Sequence, residues 1–471
     1  MRLGRAPFLQ ELGRIAYLAL PLLIGQLAIV GLTVTDVIMS GRAGTEQLAG
    51  VTLGATLFDL PMMFLVGVFI ANGAMVGRLH GAGDSSGLRH QFHNSLWLAL
   101  PVGVLAIVAV MLMRFYVLDW LDAAPDAKTV AMDYLLPMTA SAFILPFVLA
   151  FRTGFEGMGK PGVAMVFNLL GFAVNIPLDY ALIYGHWGLP ALGGAGCGWA
   201  TLIVVLMITA GEVIYTRRAE FMRSLALLRR DVLPEGLLPG DLWPAVNTLK
   251  RTLFMGFPIG SAILCEAGFF HMIPLVIATL GSVAVASHGV AMTLDMMMFM
   301  VPLALSQAIT LLVAKNLGAG NPQGARLTGI TGIVAGFAAA LVQCGVFLLL
   351  RDQLTALYSS DPQVVNLASS LLLFAAVIRL FDALHICGTG ILRGYGDTHS
   401  TLVISIIAFW LIGFPLCLWL VAGSDVEAGV RGAWTAILVA VVCAGGMTLW
   451  RVRRILVGGR RSEVGGRRSE V

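Results

Sequence analysis

Leu96-Trp97-Leu98-Ala99-Leu100-Pro101-Val102-Gly103-Val104-Leu105-Ala106-Ile107-Val108-Ala109-Val110-Met111-Leu112-Met113 passes without a single charged side chain. A helix needs about 20 such residues to cross the roughly 30 Å of bilayer hydrocarbon. Comparable runs recur along the whole chain, so this is not a soluble domain carrying one anchor. Composition agrees: 12% of the residues are charged and 58% hydrophobic, with a mean hydropathy of +0.88, whereas soluble proteins carry about 25% charged residues. The runs lack strict alternation and are about twice the length of a barrel strand, which excludes an outer-membrane barrel. The polar, basic start from Met1 to Arg14 precedes an apolar run too long for a signal-peptide core, and that run is kept as the first span.

Length, apolar runs and Gly, Pro and charge punctuation place spans at 15–40, 48–77, 92–113, 129–150, 162–184 and 193–215. A second group follows at 250–279, 283–314, 326–349, 363–390, 399–422 and 430–452. With an even number of spans both termini share a side. Lys and Arg number about 24 on that side and about 5 on the other, so that side is expected to be cytoplasmic. The net charge of +4 is therefore a topology signal, and nucleic acid is not expected as a partner.

The two groups repeat. An offset of 237 residues places Pro21 on Pro258, Gly44 on Gly281, Ala49 on Ala286, and His80-Gly81-Ala82-Gly83-Asp84 on Leu317-Gly318-Ala319-Gly320-Asn321. It also places Glu156-Gly157-Met158-Gly159 on Arg393-Gly394-Tyr395-Gly396. Six spans per half make the repeat parallel. The expected fold is an all-α integral membrane protein of twelve transmembrane helices, in two six-helix lobes related by a pseudo-two-fold axis along the membrane normal. The expected divisions are an N-terminal lobe (1–215), a cytoplasmic linker (216–248), a C-terminal lobe (249–455) and a disordered cytoplasmic tail (456–471). In the linker, Asp241-Leu242-Trp243-Pro244 reads as the capped start of a short interfacial helix. The tail spells Gly-Gly-Arg-Arg-Ser-Glu-Val twice, at 458–464 and 465–471.

A carboxylate at mid-membrane costs at least ~2.5 kcal/mol on insertion scales, so each one faces a cavity, a partner or a pathway. Six acids qualify: Asp36, Asp59, Asp179, Glu266, Asp295 and Asp382, the last with Arg379 one turn before it. Asp36 has hydroxyls at Thr33 and Thr35 and no basic residue in its span. Taken out of water, such a group holds a proton or, with helper oxygens, Na⁺; the structural alternative is a packing hydrogen bond to a neighbouring helix. Glu266 is similarly alone among small residues. Asp382 and Arg379 read equally well as a structural ion pair or as part of an ion site. Asp59 and the methionine-flanked Asp295 are candidates for lining a passage. Asp179, with Asn175 one turn earlier, serves either that or the backbone groups freed by Pro177.

His271, His288 and His385 show no metal spacing and read as packing or hydrogen-bonding residues. The six cysteines (Cys197, Cys265, Cys344, Cys387, Cys417 and Cys443) lie singly in apolar segments and read as packing residues. Gly154 to Lys160 spells a P-loop, but Pro161 stands where Mg²⁺ needs a hydroxyl and no strand precedes it. This segment and its repeat mate are expected to be tight cytoplasmic turns. No ATP hydrolysis or other enzymatic activity is expected.

Several segments together resemble the multidrug and toxic compound extrusion (MATE) family, in its NorM-like bacterial branch. They are Thr35-Asp36-Val37-Ile38-Met39-Ser40-Gly41-Arg42, Gly256-Phe257-Pro258-Ile259 leading to Glu266, and Asn175-Ile176-Pro177-Leu178-Asp179-Tyr180. More specific still are Leu380-Phe381-Asp382-Ala383-Leu384 and Leu392-Arg393-Gly394-Tyr395-Gly396-Asp397-Thr398. The resemblance covers nearly the whole chain. It implies a secondary active antiporter of the bacterial inner membrane, exporting small cationic or amphipathic drugs in exchange for H⁺ or Na⁺ by alternating access, without a cofactor. Its membrane carboxylates fall on Asp36, Glu266 and Asp382.

The chain departs from that branch at Ile378, Arg379, Asp295 and Cys265, where tyrosine, glutamine, asparagine and phenylalanine are common. These changes weaken a Na⁺ site around Glu266 and Asp382, because a guanidinium three residues away competes for the carboxylate; the alternative is that Asp295 restores the lost negative charge and a Na⁺ site stands on Glu266, Asp382 and Asp295. The proton is therefore preferred as coupling ion, with Asp36 as its site. A monomer is expected. The alternative is a flippase of lipid-linked or amphipathic precursors, which would need more cavity cations than Arg379. The membrane carboxylates themselves do not repeat: opposite Glu266 stands Ile29, and opposite Asp36 stands Ile273, so distinct tasks are expected in the two lobes.

Overall fold

The computed structural model describes residues 5–121, 124–219, 244–358 and 361–466. Among them are twelve helices long and apolar enough to cross a membrane. They are α1 (Arg5–Ala43), α2 (Thr45–Gly81), α3 (Ser85–Leu112, continuing through a π turn to Trp120), α4 (Pro125–Gly157), α5 (Pro161–Tyr184) and α6 (Ala195–Arg218). The second set is α7 (Val246–Ile277), α8 (Ser282–Gly318), α9 (Pro322–Ala356), α10 (Pro362–Tyr395), α11 (Thr398–Val421) and α12 (Val426–Gly466). Each expected span falls on one of these helices; those at 193–215, 250–279 and 399–422 overrun the helix ends by one or two residues. Most helices are longer than the span, because a backbone that satisfies its own hydrogen bonds need not stop where the hydrocarbon does.

Helix α12 continues through Gly466, into the segment expected to be a disordered tail. Extending an existing helix costs far less than nucleating one. Residues 467–471, and Asp241 and Trp243 of the linker, lie outside the described residues.

Neighbour relations repeat between the halves. In the first, α4 packs on α2, α3 and α6; in the second, α10 packs on α8, α9 and α12. The paired turns repeat as well. Asp84 accepts the Gly87 backbone N–H at 2.8 Å, and its counterpart Asn321 accepts that of Gly324 at 2.8 Å, each capping a helix start. The Gly87 backbone bond, and then the Ser86 hydroxyl, hold the Asp84 carboxyl below the usual carboxylate range. The segment resembling a P-loop is a tight turn through Gly159 at φ 76°, as is Gly396 at φ 85° in its mate, a backbone conformation that glycine adopts at no steric cost.

By contacts the chain divides into two units, one of Met1–Leu23 with Ser261–Val471 and one of Ile24–Gly260. The first turns of α1 and α7 thus belong with the helices of the opposite sequence half, an exchange that no linear boundary predicts. In the first unit, Ile15, Leu18, Ala19 and Leu22 of α1 pack with Ala304 and Ala308 of α8, and Glu11 accepts a hydrogen bond from Thr328 of α9.

In the second unit α7 meets α2 through glycines, and a Cβ on Gly67 would lie 2.3 Å from the Gly260 Cα. Backbone cannot yield as a side chain can. Gly67→Val is expected to destabilise this unit by at least about 1–3 kcal/mol, read as a lower midpoint of thermal unfolding in detergent. An unchanged midpoint would show that the close approach is not required.

Candidate functional site

Two buried ionic clusters stand out, one in each unit. In the unit of Ile24–Gly260, three helices each supply one group: Asp36 from α1, Asp179 from α5 and Cys197 from α6. One ligand atom from each lies within 4.8 Å of the others. All three are buried; Asp36 is 7% exposed, Asp179 and Cys197 not at all. Asp36 Oδ1 and both Asp179 oxygens find no hydrogen-bond donor, and neither amide atom of fully buried Asn175 finds a partner. Asn175 precedes Asp179 by four residues, on the same helix face.

Buried polar atoms are normally satisfied. Two carboxylates brought together without a countercharge repel, and the repulsion is relieved when a proton or a cation enters between them. The expected hydroxyl helpers are placed elsewhere: Thr35 Oγ1 donates to the Gly31 carbonyl at 2.9 Å, and Thr33 is exposed. Asp59 is exposed on α2 and does not join the cluster.

The second cluster belongs to the other unit and is already neutralised in part. Arg379 on α10 donates from a terminal nitrogen to Asp295 Oδ2 at 3.0 Å, with its Nε 2.9 Å from Asp295 Oδ1. Its other terminal nitrogen lies 3.2 Å from Asp382 Oδ2, and the Phe299 ring centroid lies 5.6 Å from the guanidinium carbon. All three charged side chains are buried. One guanidinium therefore serves two carboxylates. A planar guanidinium can lie against both at once, which the single ammonium of a lysine could not.

Glu266 has separate partners. Its Oε1 accepts from Ser405 at 2.6 Å and lies 3.3 Å from His385 Nε2, while His385 Nδ1 lies 2.9 Å from Thr448 Oγ1. Ser405 ends the first part of α11, immediately before the π segment Ile406–Gly413. The altered winding there places Trp410 Nε1 2.9 Å from the Cys265 carbonyl, beside Glu266.

Of the residues singled out by sequence, the structure thus brings together Asp36 with Asp179, and Arg379 with Asp295 and Asp382. Sequence reasoning took Cys197 for a packing residue and His385 for a packing or hydrogen-bonding one, without connecting either to an acid. The available signals were faint: a cysteine between two glycines, and an ionisable ring one turn beyond Asp382.

Twelve membrane-length helices enclosing buried acids in two internally similar halves describe a polytopic membrane transporter. The MatE family model matches residues 21–181 and again 258–419, two copies whose starts are 237 residues apart, at the offset read from the sequence. The chain belongs to the MATE family.

It is 35% identical over 448 residues to multidrug resistance protein PmpM of Pseudomonas aeruginosa, covering 94% of this chain and 91% of that protein. It is 32% identical to multidrug resistance protein MdtK of Pectobacterium atrosepticum, over 95% and 96% of the two chains. Among solved structures, the eukaryotic MATE transporter AtDTX14 superposes with a TM-score of 0.84 at 19% identity, covering 94% of this chain and 96% of that one. An outward-facing MATE family transporter superposes with a TM-score of 0.80 at 20% identity, over 96% and 97%. These two likenesses concern the fold.

Proposed function

We propose that the chain is a multidrug efflux antiporter of the bacterial inner membrane, with both termini cytoplasmic, exporting small cationic and amphipathic drugs in exchange for protons. Relatives named as multidrug resistance proteins support the drug class, and the excess of cytoplasmic Lys and Arg supports the orientation. The observation that carries the choice of ion is the Asp36–Asp179 pair, two buried carboxylates with no basic side chain bonded to either. The other candidate, Asp295 with Asp382, already holds Arg379 as its cation.

Antiport requires that ion and drug not stabilise the same occupied state. A carboxylate pair meets this requirement directly. Ionised, it attracts a cationic drug in a medium of low dielectric; on taking up a proton from outside it loses that attraction and releases the drug. The pair need hold only one shared proton to do so. Each transport cycle then moves a proton inward as a drug moves outward, while the lobes alternate access to the site. The flippase reading loses its one strong cation, because Arg379 is engaged by two carboxylates.

Proteoliposomes loaded with ethidium provide the test. An imposed pH gradient alone, acidic on the side that receives drug, is expected to drive efflux at least about tenfold above the rate without a gradient, equivalent to about 1.4 kcal/mol off the effective barrier. An imposed Na⁺ gradient alone is expected to leave the basal rate unchanged. Efflux responding to Na⁺ alone would overturn the choice of proton.

A further inference from the structure

We propose that Asp36, Asp179 and Cys197 form a binding site for a borderline-soft divalent cation such as Zn²⁺ or Cd²⁺, which occupies the place of the coupling ion and arrests transport. The inference deepens the reading of Asp36 given above, and its inhibitory consequence rests on that reading; the binding itself does not.

The donor set argues for this class of ion. Two carboxylates and a sulfur come from three different helices, with mutual separations within 4.8 Å. Tetrahedral zinc, with bonds of about 2.0–2.3 Å, needs ligands about 3.5 Å apart, so the side chains have at most about 1.3 Å to close from separations within 4.8 Å. Sulfur selects zinc, cadmium and other soft ions, whereas Na⁺, Mg²⁺ and Ca²⁺ prefer all-oxygen shells. Cys197 makes only a long contact of 3.9 Å with the Asp36 carbonyl, which leaves its Sγ available.

A second observation points independently to a ligand. Asn175 is fully buried and both of its amide atoms are unpartnered. Asn175 stands one turn before Asp179 on the same face of α5, and its carboxamide oxygen is the fourth ligand we assign. Among the described residues no group satisfies it. Asp36 is not fully enclosed, being 7% exposed. A divalent cation also removes the repulsion between the two carboxylates more completely than one proton does. On binding, metal–oxygen and metal–sulfur bonds form, and the thiol proton, with any proton held by the carboxylates, passes to solvent.

The test uses the full chain purified in detergent, titrated with Cd²⁺ alone. Thiolate-to-cadmium charge-transfer absorption and equilibrium dialysis are expected to show about one equivalent bound. Cys197→Ser is expected to abolish that absorption and weaken Cd²⁺ binding at least about tenfold, within the range found when a metal site loses a group, although five other cysteines remain. Should Cys197→Ser fail to fold, Asp179→Asn carries the same expectation for affinity. Absorption that persists in Cys197→Ser, affinity unchanged in Asp179→Asn, or absence of Cd²⁺ binding to the unmodified chain would each overturn the site. A parallel measurement separates the two readings: Cd²⁺ is expected to stop pH-driven efflux from proteoliposomes. Binding at Cys197 with efflux undiminished would overturn Asp36 as the coupling group and leave the metal site standing.

Discussion

Asp36→Asn is expected to reduce drug efflux to the level of cells lacking the pump, measured as ethidium accumulation and drug resistance in an efflux-deficient bacterium. The substitution keeps the size and shape of the side chain and removes the charge. At about 4 Å and an effective dielectric of about 20, a carboxylate attracts a monovalent cation by about 4 kcal/mol, which corresponds to about a thousandfold in affinity. The group that attracts the drug is also the one that takes the proton, so losing it removes both the attraction and the means of release. The protein is expected to fold normally, because Asp36 Oδ1 and both Asp179 oxygens lack donors and an amide N–H adds one. Retained efflux would refute the role of Asp36. Lost efflux accompanied by a lowered unfolding midpoint would point instead to a packing role.

Arg379→Gln is expected to have the largest effect on stability. Removing one partner from a buried charge network typically costs about 3–5 kcal/mol, since it leaves uncompensated charge out of water. Here it leaves two carboxylates, Asp295 and Asp382, both buried, around the space vacated by a guanidinium. That space is negatively charged and lined by oxygens, which suits a hard monovalent cation. In thermal unfolding of the purified protein, Arg379→Gln should lower the midpoint, and NaCl should restore part of the loss where choline chloride at the same concentration does not. Binding to the native state stabilises in proportion to the logarithm of ion concentration over Kd, so the recovery should grow with added Na⁺. The unmodified protein should show no such selectivity. A Na⁺-specific shift in the unmodified protein would mean that Arg379 does not stand in for the ion, and an unchanged midpoint in Arg379→Gln would mean that the ion pairs contribute little.

The two clusters also explain why the halves share a scaffold and differ in chemistry. Glycine turns at Gly159 and Gly396, the caps at Asp84 and Asn321, and the packing of α4 and α10 on their neighbours recur at one offset. These are backbone and packing requirements, which any duplicated membrane scaffold keeps. Asp36 and Glu266 have isoleucines as their counterparts, so each half has acquired its own buried charge.

The number of spans, their approximate edges, the internal repeat and the acids worth attention could all be read from the sequence alone. Each depends on properties that are local or additive along the chain: the length of an apolar run, the sign of a loop's charge, the cost of a carboxylate in hydrocarbon. The exchange of the first turns of α1 and α7 between contact units could not be read in this way. It depends on which helix faces are flat enough to meet, as at Gly67 and Gly260.

The grouping of the acids was likewise decided by the tertiary structure. Arg379 was expected to compete for Asp382 from one turn away, and only the approach of α8 to α10 shows that Asp295 takes two of its nitrogens. His385 read as a packing or hydrogen-bonding residue and Cys197 as a packing residue, because an isolated ring or thiol in an apolar span carries no spacing signal; the partner of each appeared only when a second helix brought Glu266 or Asp36 against it. That this protein crosses the membrane in a duplicated set of helices, and that charge is buried within them, follows from the order of residues alone. Which charges meet, and which remain without a partner, was decided by helix packing, because residues far apart along the chain become neighbours only through the fold.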